Sequence, residues 1–358
     1  MPEGPSGNRW PILGPEAPAS PGARRELAGP QVSVIVLTWN GRRYLEPCLA
    51  AVERQTGIDY EVILVDSAST DGTVEFVRGR FPSVRVVSLA DNAGFAGGNN
   101  AGATVARGRT LVFLNNDTEA EPGWLSSLCR GADDAGGFAL ATSRIVYMHD
   151  PGVVDSAGDG LFVSGGAFKH GHGQPVAAAG RSREVFGACG AAFLIRRAVF
   201  EELGGFDEEF FASHEDVDLS YRARLRGYRC RYVADAVVRH HGSATLGRGS
   251  AAAVFYGQRN MEWMYVKDTP GPLLARSLAG HLAYDLAAFL YFARIGRVGP
   301  FLRGKMAAVR GLPGMLRKRR LVQATRVIGV ADLLPHLESR WFALKRREKA
   351  FDVGGLRS

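Results

Sequence analysis

The residues best suited to chemistry in this chain are carboxylates and amides at the ends of apolar runs. "LVFLNND" carries Leu111–Leu114 into Asn115, Asn116 and Asp117, and "EVILVD" ends in Asp66. A strand that stops in Asp117 can offer a carboxylate to a hard cation such as Mg2+ or Mn2+, which takes oxygen ligands and often holds substrate phosphates. Asp66 could accept hydrogen bonds from a base or ribose. Taken singly, either acid is also an ordinary turn or helix-cap residue. "SHEDVDLSYR" places Glu215, Asp216 and Asp218 just after the apolar, glycine-rich "GGFDEEFF". A carboxylate at such a helix start could serve as a general base. The same acids also suit a capping box from Ser213 to Asp216 and an ion pair from Asp218 to Arg222. His240 and His241 follow "DAVV" as a metal or phosphate contact, or as structural or exposed residues.

These residues need a scaffold that brings them to one rim. "VSVIVLT" (32–38), "EVILVD" (61–66), "VRVVSL" (84–89) and "TLVFLNND" (110–117) read as strands. Helical patterns lie between them: "YLEPCLAAVERQ", the stretch after "SASTDGT", and "NAGFAGGNNAGATVARG". Alternation of this kind predicts a mostly parallel α/β sheet. Ligands bind such sheets beyond the carboxyl ends of the strands, which here carry Thr38, Asn40, Asp66, Ser67, Asn115 and Asp117. Further strands are expected near Phe138–Val146, Ala191–Arg196, Arg229–Val233 and Ala236–His240, and a helix over Phe211–Tyr228. The glycine-rich "DNAGFAGGNN" is neither a phosphate-binding G-K-[ST] loop nor a G-x-G-x-x-G fingerprint.

Charge divides the chain. Of 358 residues with net +8, the segment Arg294–Lys349 holds 15 basic against 3 acidic residues, a local +12 that leaves −4 elsewhere. It follows a helical stretch with Leu274, Leu278, Leu282, Leu286 and Leu290 at spacing four, interrupted by Arg276, His281 and Asp285. That falls short of the ~20 apolar residues of a membrane span. An amphipathic helix beside a basic stretch can lie on an anionic membrane; the alternative is a helical subdomain packed on the sheet. Four scattered cysteines without a C-x-x-C pair argue against a zinc site or disulfide framework. The first 30 residues read as a disordered tail without a signal-peptide core.

In order and spacing, several segments between Val32 and Pro270 resemble the inverting glycosyltransferases of family 2: "EVILVDSASTDGT", "DNAGFAGGNNAG", "LVFLNND", "GACGAAFLIRRAVFEELGGFDEEFFASHEDVDLSYRARLRGY", "VVRHHGSAT" and "QRN" (258–260). They are most similar to bacterial rhamnosyltransferase-like members. The resemblance implies a GT-A fold, Rossmann-like, with a nucleotide-sugar-binding half over 31–125 and an acceptor half over 126–269; the charge and leucine pattern adds a basic, amphipathic, membrane-associating helical region over 270–358. It implies Asp216 as the catalytic base, with Glu215 and Asp218 on the acceptor side. Thr38, Asn40, Asp66, Asn92, Asn99 and Asn115 would contact the donor, and Asp117 and His240 would bind a divalent Mg or Mn ion. Expected partners are a nucleoside-diphosphate sugar, a glycan or lipid-linked acceptor and the inner face of the cell membrane, but no nucleic acid. Two rivals are a nucleotidyltransferase, which lacks its basic loop here, and an inactive sugar-nucleotide-binding module, against which the intact acids count.

Overall fold

The computed structural model describes residues 30–132, 136–242, 247 and 249–355. The expected tail lies outside the described residues apart from Pro30. The first half runs β1 (Val32–Thr38), α1 (Arg42–Glu53), β2 (Tyr60–Asp66), α2 (Thr73–Arg80), β3 (Arg85–Ser88), α3 (Gly94–Val105), β4 (Thr110–Asn115), β5 (Thr118–Ala120) and α4 (Trp124–Gly131). There follow β6 (Phe138–Tyr147), β7 (Val154–Ser156), β8 (Asp159–Phe162), β9 (Ala167–Lys169), β10 (Arg183–Val185), β11 (Ala192–Arg196), α5 (Arg197–Glu202), α6 (Glu215–Leu225) and β12 (Arg229–His240). The last third is α7 (Ala251–Asp268), α8 (Gly271–Arg294), α9 (Val298–Ala324), α10 (Val330–Leu333), β13 (Leu337–Glu338) and α11 (Trp341–Gly355).

The main sheet has the order β10-β12-β6-β11-β4-β1-β2-β3. Strands β4, β1, β2 and β3 are parallel, as are β6 and β12, while β11 runs antiparallel between β4 and β6. Alternation along each strand feeds two cores. Val32, Val34, Val36, Leu64, Val112 and Leu114 face α1 and α4. Ile35, Ile63, Val65, Leu111 and Phe113 face α3 and α6, as the period of two requires. Helix α3 packs closely because Gly98 and Gly102 lack side chains. A Cβ on either would stand 2.3 Å from Leu37 Cδ1 or 2.5 Å from Ile35 Cγ2.

Three expectations are corrected. The strands expected at Arg229–Val233 and Ala236–His240 are one strand, β12, with a register shift between Val233 and Val237. The helix expected from Phe211 begins only at Glu215, because Phe211, Ser213 and His214 have positive φ. The C-terminal helices begin at Ala251, before Pro270, where the Ser250 side chain caps α7 by accepting from Ala253 N.

The C-terminal helices pack on the sheet domain through a third core that joins Val217, Tyr221 and Leu225 of α6 to Trp263, Met264, Leu273, Ala308 and Met315. Leu273, Ser277 and His281 form the buried side of α8. Among the described residues, no helix is long and apolar enough to cross a membrane.

Candidate active site

Register aligns the carboxyl ends of the parallel strands. Thr38 pairs with Asp66, Asp66 with Ser88 and Leu37 with Asn115. Asn40 ties two of the following loops together: its N–H donates to Ser69 Oγ (2.8 Å) and its Oδ1 accepts from Thr70 N (2.8 Å). Asp66 is buried; Oδ2 accepts from Ser69 N (3.2 Å), and Oδ1 has no hydrogen-bond partner among the described residues. A buried carboxylate oxygen without a donor is costly, so this one suits the N–H or O–H of a ligand. Thr38 Oγ1 accepts from Asn116 Nδ2 (2.9 Å), which braces the turn carrying Asp117.

Other expected donor contacts are engaged by the protein itself. Asn92 Oδ1 accepts from Gly94 N (2.9 Å) and Ser67 Oγ (3.3 Å) at the start of α3. Asn99 returns its amide to Phe95 O (3.0 Å) within α3. Asn115 belongs to the ladder: its N–H donates to Ala191 O (2.9 Å), and its C=O accepts from Thr118 Oγ1 (2.6 Å).

Asp117 and His240 meet. β12 pairs with β5, His240 opposite Thr118, and this brings His240 Nε2 to 3.4 Å from Asp117 Oδ1. The other ring nitrogen, Nδ1, lies 2.7 Å from Asp155 Oδ2. Burial alone would lower the His240 pKa, but the bonds and charges of Asp117 and Asp155 hold it up to about 9. Asp155 is itself fully buried, which would raise its pKa. Lys169 (2.9 Å), His172 and His240 outweigh that and keep it ionised. A carboxylate behind a histidine fixes the tautomer that leaves the far nitrogen free for a metal. His240 Nε2 is buried and faces Asp117 Oδ1 across 3.4 Å, so the pair would hold a divalent ion once the ring gives up its proton. Asp155, absent from the sequence expectations, carries the same local signal as Asp66: "VDSA" at 154–157 repeats "VDSA" at 65–68.

The three acids of α6 separate clearly. Asp218, expected on the acceptor side, is fully buried and bonded to Arg222 (2.8 Å) and Lys267 (2.5 Å), partners that tie it into the fold. Glu215 is buried with Oε2 unpartnered; burial and the charge of Asp216 push its pKa well above the usual carboxylate range. Asp216 is only partly buried. Burial raises its pKa and prevails over two hydrogen bonds that favour the charged form, from Gly190 N to Oδ2 (2.7 Å) and from Val217 N to Oδ1 (2.8 Å). Gly190 is required at that distance, because a Cβ there would lie 2.8 Å from Asp216 Oδ2. The next residue, Ala191, accepts from Asn115 N. The loop Gly190–Ala191 therefore links the Asn115–Asp117 strand end to Asp216.

Residues 33–204 match the model of Glycosyl transferase family 2. The chain is 29% identical over 251 residues to the N-acetylglucosaminyl-diphospho-decaprenol L-rhamnosyltransferase of Mycobacterium tuberculosis, covering 61% of this chain and 78% of that protein. GalNAc-T7, solved with UDP, GalNAc and Mn2+, superposes with a TM-score of 0.54 at 18% identity over 67% of this chain, which spans only 48% of that one. A mannosyltransferase from Pyrobaculum calidifontis, in complex with GDP-Man and Mn2+, gives 0.51 at 21% identity over 83% of this chain and 86% of its own. At these identities the solved structures speak for the fold, a GT-A-like α/β architecture.

Proposed function

We propose that this chain, a rhamnosyltransferase-like family 2 glycosyltransferase, moves a sugar from a nucleoside diphosphate to a hydroxyl of a glycan or lipid-linked acceptor with inversion. The single observation that carries the proposal is Asp216. It is the one acid at the start of α6 whose two oxygens are both met by backbone N–H groups, Gly190 and Val217, and the Gly190 loop joins it to the strand end that holds Asp117.

Asp216 takes the proton of the acceptor hydroxyl. The oxygen forms a bond to the anomeric carbon as the bond to the nucleoside diphosphate breaks on the opposite face. General-base assistance of this kind contributes ~10²–10⁴-fold. Asp66 Oδ1 accepts from the nucleoside, and Asn40 and Thr38 hold the loops around it. A divalent ion at Asp117 and His240 would neutralise charge on the departing diphosphate. Asp155 keeps the His240 ring turned toward Asp117.

Residence on the inner face of a membrane belongs to the same proposal. The side of α8 opposite His281 leaves Leu282 and Leu286 59% and 60% exposed, and α9 carries seven Lys and Arg residues and no acid. Packing accounts for one side of α8 and leaves the leucine side to a lipid surface.

The test is a screen of nucleoside-diphosphate sugars with purified protein and Mn2+, scoring release of the diphosphate, with and without lipid-linked glycan. No release from any donor, with the Asp216→Asn variant indistinguishable from the parent, favours the inactive binding module instead.

A further inference from the structure

The four residues before α6 hold a concentration of backbone strain. Phe211, Ser213 and His214 have φ of 63°, 72° and 70°, three of the five non-glycine residues with positive φ in the described chain. L-residues seldom occupy that region, and such conformations persist where the surroundings over-determine them. Here the main restraint is one side chain. Asn260, on α7 and fully buried, directs Nδ2 at the carbonyl oxygens of Phe210 (2.8 Å), Ala212 (2.9 Å) and Ser213 (2.6 Å). An amide nitrogen has two N–H donors, so three carbonyls converge on one group. Its Oδ1 accepts from Arg259 Nε (2.9 Å), and Arg259 Nη2 donates to Glu209 O and Phe210 O.

The strained segment is a junction. On one side Phe211 O accepts from Phe95 N (2.6 Å) and Ala96 N (3.3 Å), in the first turn of α3 in the donor half. On the other, His214 O accepts from Asp218 N (2.8 Å), closing the first turn of α6, in which Asp216 sits. The Phe211 ring stacks on Tyr256 of α7, centroids 5.2 Å apart.

We infer that Asn260 is a positioning residue for sugar transfer: it clamps residues 210–213 in their strained form and so sets Asp216 relative to the donor half. The inference rests on Asp216 as the base. Without the amide, Ser213 and His214 relax toward negative φ, and the start of α6 loses its register against α3.

The experiment uses the full chain with three variants: Asn260→Ala, Ser213→Gly and the double variant. Glycine takes positive φ without steric cost, so it lessens the need for a clamp while keeping the Ser213 carbonyl. Asn260→Ala is expected to lower kcat at least about 10-fold, the loss that a base displaced by a fraction of an ångström produces. Donor KM should stay within about twofold, because none of Asn260's hydrogen bonds reaches the donor half, and amide hydrogen exchange should quicken over residues 210–216. Adding Ser213→Gly should recover at least about threefold of the lost kcat, a rescue that general loosening of the helices does not give. Unchanged kcat, unchanged exchange over 210–216, or no rescue by Ser213→Gly overturns the inference. Should the alanine variant fail to fold, Asn260→Ser, which keeps one donor, takes its place under the same criteria. If Asp216→Asn retains its kcat, the base assignment falls by itself, while the exchange measurement still decides whether the clamp exists.

Discussion

Replacing Gly190 by alanine moves the proposed base without removing any atom of it. The Gly190 backbone lies outside the positive-φ region, so alanine is allowed there and the effect is steric. The new Cβ would stand 2.8 Å from Asp216 Oδ2 and 3.3 Å from its Cβ and Cγ. Carbon atoms in good contact sit about 3.5–4.0 Å apart, so the carboxylate must withdraw by roughly half an ångström or more. That withdrawal stretches the 2.7 Å bond from Gly190 N. A hydrogen bond to a charged group contributes about 1.5–3 kcal/mol, and a 1 Å misplacement at a reacting centre can cost about 100-fold. We expect kcat to fall about 10–100-fold, with donor affinity close to the parent's, because Gly190 lies on the Asp216 side of the loop. The assay is diphosphate release at saturating donor and acceptor, with donor binding by calorimetry and Tm as the control for folding. A kcat within twofold of the parent, while Asp216→Asn is inactive, would refute the argument that Gly190 is needed for the base.

Asp117→Asn should abolish Mn2+-dependent turnover, and Asp155→Asn should weaken Mn2+ binding about 10–100-fold through His240; calorimetric Mn2+ titration checks both without relying on activity. Leu282→Glu with Leu286→Glu should weaken binding to anionic vesicles about 100-fold, since two leucines contribute about 3 kcal/mol on burial. Tm should hardly change, because both side chains are exposed in the free protein, and equal sedimentation of variant and parent would count against lipid insertion. His172 gives a pH effect on α11. Burial lowers its pKa, but the bonds to Asp155 and Asp352 (3.0 Å) raise it from 6.5 to about 9. The folded value is the higher one, so the stabilisation of α11 is complete below pH 6.5 and is lost as pH rises through 9. Hydrogen exchange over 341–355 should therefore quicken across that window in the parent and much less in His172→Gln.

The alternation of β-branched runs with helical patterns in the first 120 residues was enough to give β1–β4, their parallel direction and the rim that holds Thr38, Asp66, Asn115 and Asp117. These features depend on local periodicity and on a register that the buried faces enforce. The leucine spacing of α8 was likewise legible, but its meaning was not. Whether those leucines faced a core or solvent depended on where Leu273, Ser277 and His281 were buried, which is a property of α7 and α9. Composition could not separate Glu215, Asp216 and Asp218, since all three are acids within one turn; only the resemblance singled out Asp216. The tertiary structure separates them by their partners: Lys267 and Arg222 neutralise Asp218, Glu215 is buried without a donor, and Gly190 reaches Asp216 from 26 positions away. Asp155 behind His240 and Asn260 beneath the 210–213 segment were hidden for the same reason. Each acts across 85 and about 50 positions of chain respectively, and no local pattern encodes a contact made only when distant strands and helices close on one another.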